Sequence, residues 1–123
     1  MTDQRKILVV DDDEAVRSVT FEMLKRLGFD VTTADSGASA LEEVSHQSFD
    51  LVLLDLAMPN MSGVEVFTSL KALKPESRVI FMTGYSKDEF SDLLSENEDT
   101  TSVLSKPFPM QELKSSIENM LSH

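Results

Sequence analysis

Leu51-Val52-Leu53-Leu54-Asp55 is the stretch on which the fold turns: four apolar residues in a row, then a carboxylate. A strand with one wet face alternates apolar and polar residues. A strand covered on both faces is apolar throughout, as parallel strands are. Ile7-Leu8-Val9-Val10 and Val79-Ile80-Phe81-Met82 share the pattern. Val31-Thr32-Thr33-Ala34 makes a further run, and Ser102-Val103-Leu104-Ser105 a weaker one.

Helical spacing fills the intervals. Val16, Val19, Thr20, Met23, Leu24 and Leu27 recur at three and four, with Gly28 as the stop. Ala38, Leu41 and Val44 make a second stripe, starting after Ser36 or Gly37. Val64, Phe67, Leu70 and Leu73 make a third, ended by Pro75, with Ser62 as its cap. Phe90, Leu93 and Leu94 make a short acidic fourth, and residues 91–101 read as frayed helix and loop. Leu113, Ile117, Met120 and Leu121 make the fifth. Five repeats of strand then helix predict an α/β fold of three layers, a parallel sheet with helices on both faces.

The 123 residues fit one domain, 1–123, with no linker or repeat. Net charge is −11, which repels phosphate backbones and argues against direct nucleic-acid binding. No window approaches the ~20 apolar residues of a membrane span. The start lacks the basic and apolar regions of a secretory signal. Without cysteine there are neither disulfides nor thiolate metal sites. A cytoplasmic location is the simplest expectation.

In open α/β sheets, ligands collect at the carboxyl ends of the strands. Those ends carry Asp11-Asp12-Asp13, Asp55 with Ala57-Met58-Pro59-Asn60-Met61-Ser62-Gly63 behind it, Thr83-Gly84, and Lys106-Pro107. Each has a plainer reading when taken singly. Asp13 before a helix is an N-cap more often than a ligand. An aspartate after a strand, or Thr-Gly, is usually a turn. Together, in order along one sheet edge, they make a chemical set. Clustered carboxylates resist joint ionisation unless a cation sits among them. Mg²⁺ suits such a set because it takes a few carboxylates, keeps waters and completes its shell with phosphate oxygens. A carboxylate is also a competent nucleophile toward phosphorus. The transferring group then needs positive charge and donors around its oxygens, for which Lys106 and the Thr83 hydroxyl are available.

Residues 7–12, Leu53-Leu54-Asp55 with Met58-Pro59 and Gly63, Met82-Thr83-Gly84 and Lys106-Pro107-Phe108 closely resemble the receiver domains of two-component response regulators. The resemblance runs from Lys6 to about Leu121. It implies a flavodoxin-like sheet of order 2-1-3-4-5 with five helices. It implies Asp55 as phosphoacceptor, Asp12 as direct cation ligand and Asp11 as a partner acting through water. It further implies the backbone carbonyl of Ala57 as a ligand, Thr83 as switch hydroxyl, and Lys106 as the phosphate-pairing lysine with a cis bond to Pro107. Mg²⁺ is the implied cation, with Mn²⁺ as a substitute. The chain is expected to catalyse only its own phosphorylation and dephosphorylation.

The implied donor is a histidine kinase or histidine phosphotransfer protein, docking at Ala15, Val16, Val19 and Phe108. Plain core is the alternative reading of the two valines, whereas Phe108 is expected to be exposed. The implied output is an unspecified effector, or a kinase joined covalently, as Thr83-Gly84-Tyr85-Ser86 resembles receivers fused to sensor kinases. A stand-alone receiver fits equally, and a homodimer is compatible with the family pattern. Three features of the sequence bear on that pattern. Val103 replaces a common aromatic, which removes the basis for an aromatic-swing readout. Ser62 replaces an aspartate, and Ala57 and Tyr85 flank the expected phosphoryl site.

Three rivals compete. A haloacid-dehalogenase-type phosphatase would use Asp11-Asp12-Asp13 as its Asp-x-Asp, but leaves Asp55 and Met58-Pro59 unexplained. A flavodoxin-like FMN protein needs a hydroxyl- and glycine-rich loop where the three aspartates stand. A degenerate receiver, acting only as a binding module, usually lacks the acceptor or a residue of the acidic pair, whereas Asp11, Asp12, Asp55, Thr83 and Lys106 are all present.

Overall fold

The computed structural model describes residues 5–58, 61–84 and 100–122. Five strands form one sheet: β1 (Lys6–Val10), β2 (Asp30–Ala34), β3 (Leu51–Asp55), β4 (Val79–Thr83) and β5 (Thr101–Ser105). All pairings are parallel and the order is β2-β1-β3-β4-β5. Four helices accompany them among the described residues: α1 (Glu14–Arg26), α2 (Gly37–His46), α3 (Gly63–Leu73) and α4 (Met110–Leu121). The helix expected around Phe90, Leu93 and Leu94 lies outside the described residues, as does Tyr85. Thr101, assigned to a loop by its polar neighbours, is instead the buried first residue of β5.

Alternate strand residues point to opposite faces, so one apolar run feeds two cores. Leu8, Val10, Val52, Leu54, Val79 and Phe81 pack with Ala40 and Val44 of α2 and Val66, Phe67 and Leu70 of α3. Ile7, Val9, Leu51, Leu53, Ile80 and Met82 pack with Leu24 of α1 and Leu113, Ile117 and Met120 of α4. Each such valine, leucine, isoleucine, phenylalanine or methionine, fully buried, contributes about 1.5–3 kcal/mol relative to exposure.

Caps fix where helices begin. Asp13 Oδ1 accepts the Ala15 and Val16 N–H groups at 3.0 and 3.2 Å, so its capping reading holds. Ser36 Oγ accepts from Ser39 at 3.1 Å, and Ser62 Oγ from Glu65 at 3.3 Å. Gly28 ends α1 at φ 94°, a conformation that favours glycine. Two expected stripes are rotated. α2 buries Gly37, Ala40 and Val44 rather than Ala38 and Leu41. α3 buries Val66 with Phe67 and Leu70, and leaves Val64 and Leu73 exposed. Strict three-residue spacing drifts around a helix of 3.6 residues per turn, so one row cannot stay on the sheet throughout.

Candidate functional site: a carboxylate pocket at the sheet edge

β1 and β3 are adjacent and in parallel register, with Val10 opposite Leu54. Their next residues, Asp11 and Asp55, therefore emerge side by side at the carboxyl edge. Asp11 is fully buried, Asp55 is 4% exposed, and Asp12 is exposed. One carboxylate oxygen from each of the three lies within 4.8 Å of the others. Lys106, just past β5, completes the group. Its Nζ is 2.8 Å from Asp11 Oδ2 and 3.3 Å from Asp55 Oδ1.

The backbone aims these side chains. The Asp13 N–H donates to Asp11 Oδ1 at 2.9 Å, and the Ala57 N–H to Asp55 Oδ1 at 3.2 Å. Thr83 is buried at the end of β4, where its carbonyl accepts the Lys106 N–H at 2.8 Å. The Lys106–Pro107 bond is cis, as the resemblance implied. Gly63 starts α3 directly against β3. A Cβ there would meet the Asp55 carbonyl oxygen at 2.5 Å and the Leu56 Cα at 2.7 Å, both unyielding backbone.

Burial pushes the Asp55 carboxyl up, and the Asp11 charge pushes it further. Lys106 and the Ala57 N–H draw it part of the way back, leaving it raised from 3.8 to about 6. For Lys106, burial works against the charge, but its bond to Asp11 and the charges of Asp55 and Asp11 prevail and raise it. Three clustered carboxylates thus share one ammonium. That surplus of negative charge on closely set hard oxygens fits a small divalent cation.

Asp11, Asp12, Asp55 and Lys106 are thus brought together. Thr83 stands on the neighbouring strand, tied to Lys106 through its backbone, and Ala57 is exposed at the rim. Sequence reading passed over Arg17, whose Nη1 donates to the Asp11 carbonyl at 2.9 Å. The signal was its place four residues after the Asp13 cap, where a helical side chain leans back toward the strand end.

An apolar groove of about 420 Å³ adjoins the pocket, lined by Ala15, Val16, Val19, Thr20, Met23, Lys106, Pro107 and Phe108. Val19 is 54% exposed, so the plain-core reading fails for it. Phe108 is half-buried rather than open, because one side packs on the α1/α4 core.

A family model described as the response regulator receiver domain matches residues 7–118. The response regulator receiver protein CpdR of Brucella abortus is 34% identical over 117 residues, which cover 95% of this chain and 97% of CpdR. The transcriptional regulatory protein ZraR of Escherichia coli K12 is 37% identical over 121 residues, 98% of this chain but 27% of ZraR. The chain therefore spans nearly all of one relative and about a quarter of the other. The response regulator TrrA of Thermotoga maritima, solved in complex with Mg²⁺–BeF, matches at TM-score 0.84 and 33% identity, covering 96% of this chain and all of that one.

Proposed function

The chain belongs to the response regulator receiver domain family of two-component signalling, and we propose that Asp55 is its phosphoacceptor, taking a phosphoryl group from a phosphohistidine on a histidine kinase or phosphotransfer protein. The observation that carries this reading is the placement of Asp55. It is nearly buried, within 4.8 Å of two further carboxylates and 3.3 Å from an ammonium.

Asp11, Asp12, Asp55 and the Ala57 carbonyl would hold Mg²⁺, with Mn²⁺ as a substitute. The three clustered oxygens are the right donors for either. When bound, the cation neutralises the carboxylates and the phosphoryl oxygens. An Asp55 oxygen forms the bond to phosphorus as the donor's N–P bond breaks, and the imidazole nitrogen leaves with the electron pair. With its carboxyl at about 6, Asp55 is mostly ionised at neutral pH and so is nucleophilic. Lys106 and the Thr83 hydroxyl then hold the phosphoryl oxygens. Beryllium fluoride resembles a phosphoryl group in shape and charge, so the TrrA complex supports a pocket of this type.

The groove beside Lys106 suits a docked donor helix, with Val16, Val19 and Phe108 as its apolar contacts. The added charge on Asp55 shifts a pre-existing equilibrium of the β5/α4 face, read by an effector or by a covalently joined domain. The chain modifies itself and turns over no external substrate.

Intact mass after incubation with a small phosphodonor tests this. One phosphoryl addition is expected with Mg²⁺, none without it, and none in Asp55→Asn. No addition to the wild-type protein under any of these conditions would contradict the reading.

A further inference from the structure

Arg17 lies in the first turn of α1, and its N–H makes a helical bond to the Asp13 carbonyl at 2.9 Å. Its side chain leans back over the helix start, where Nη1 donates to the Asp11 carbonyl at 2.9 Å. We propose that Arg17 is a positioning residue for the cation site: by holding the peptide unit between Asp11 and Asp12, it sets the direction of the Asp12 carboxylate. This rests on the reading of the pocket as a cation site.

The rest of the loop is already fixed. Asp11 Oδ1 accepts from the Asp13 N–H and Oδ2 from Lys106, at 2.9 and 2.8 Å. Asp13 is held by its two capping bonds to Ala15 and Val16. Between these fixed residues stands Asp12, exposed, with its carboxylate near two others of like charge. Repulsion in the metal-free pocket drives that carboxylate outward to water. A peptide unit is planar, so its carbonyl and the chain leaving it turn together. The carbonyl that Arg17 holds belongs to the unit leading into Asp12. Loss of the bond frees that unit to rotate, and Asp12 swings away from Asp55.

The alternative role has the opposite sign. A guanidinium stays charged at every working pH. Were Arg17 only a nearby positive charge, it would repel Mg²⁺, and its removal would tighten metal binding. Positioning makes removal weaken binding. A purely structural role would lower the melting temperature of the metal-free protein without changing metal affinity.

The test is calorimetric titration of Mg²⁺ into wild type, Arg17→Met and Arg17→Lys, with metal-free melting temperatures as the control. The expected result is roughly tenfold weaker Mg²⁺ binding in Arg17→Met, the scale of partners that orient metal ligands. The metal-free melt should change little. Arg17→Lys, which keeps the charge and one donor group, should bind between the two. Tighter or unchanged binding in Arg17→Met overturns the proposal. Should Arg17→Met fail to fold, Arg17→Lys decides alone: weaker binding than wild type supports positioning, and equal binding overturns it. A wild-type protein that binds no Mg²⁺ overturns the cation-site reading itself, and this inference with it.

Discussion

Asp55 pairs two properties that conflict in a metal-free protein: it is nearly buried, and it is ionised at neutral pH. A carboxyl raised from 3.8 to about 6 holds its proton more tightly in the folded chain than in the unfolded one. Between those values the folded chain keeps a proton that the unfolded chain has lost, so stability falls as pH rises through the window. Above about pH 6 the penalty is complete; at about 1.4 kcal/mol per unit it reaches about 3 kcal/mol at most. Asp55→Asn removes it. Denaturant unfolding without metal should find Asp55→Asn the more stable protein at about pH 8, with the gap closing toward about pH 4. An Asp55→Asn no more stable than wild type at the higher pH would show that the site stores no such strain. Asp55 was legible in the sequence because it ends an apolar run, and Asp13 because it precedes a helix. Arg17 was only partly so: its place after the cap puts it near the strand end, but does not say whether its tip reaches a neighbouring carbonyl.

At the scale of elements, the strands were the readable part. The central residues of β1, β3 and β4 are buried on both faces, and that demand makes residues 7–10, 51–54 and 79–82 apolar throughout. The helices were read less well. α2 and α3 carry small or apolar residues on more than one face, so composition did not say which row meets the sheet. Leu73 and Val64 look like core residues in sequence and are exposed in the fold. α1 shows the same ambiguity with a functional consequence. Its Thr20 and Leu24 are buried, while Val19 stands 54% exposed at the groove beside Lys106. A surface valine contributes little to the fold, so Val19→Ala should change stability by about 0.5 kcal/mol or less. The same substitution should slow phosphoryl transfer from a phosphohistidine donor several-fold, and leave the rate from a small phosphodonor unchanged. Equal slowing with both donors would remove the groove from the docking account.

The whole molecule explains why residues distant in sequence make one pocket. A parallel sheet puts the carboxyl ends of all its strands at one edge, so Asp11, Asp55, Thr83 and Lys106 converge although 95 positions separate the first from the last. Strand order does not follow from periodicity; it came from resemblance, and the pairing of β1 with both β2 and β3 bears it out. That pairing sets Asp11 beside Asp55. No helix among the described residues is long and apolar enough to cross a membrane. Relatives of this chain occur at nearly its own length and at almost four times it.

The most direct test of the central claim is to locate the acyl phosphate. After reaction with a small phosphodonor and Mg²⁺, borohydride reduces an aspartyl phosphate to homoserine, and peptide mass mapping reads the position. Homoserine at residue 55 and nowhere else is the predicted result. Homoserine at Asp11 or Asp12, with Asp55 unchanged, would contradict the account and move the nucleophile to the β1 edge.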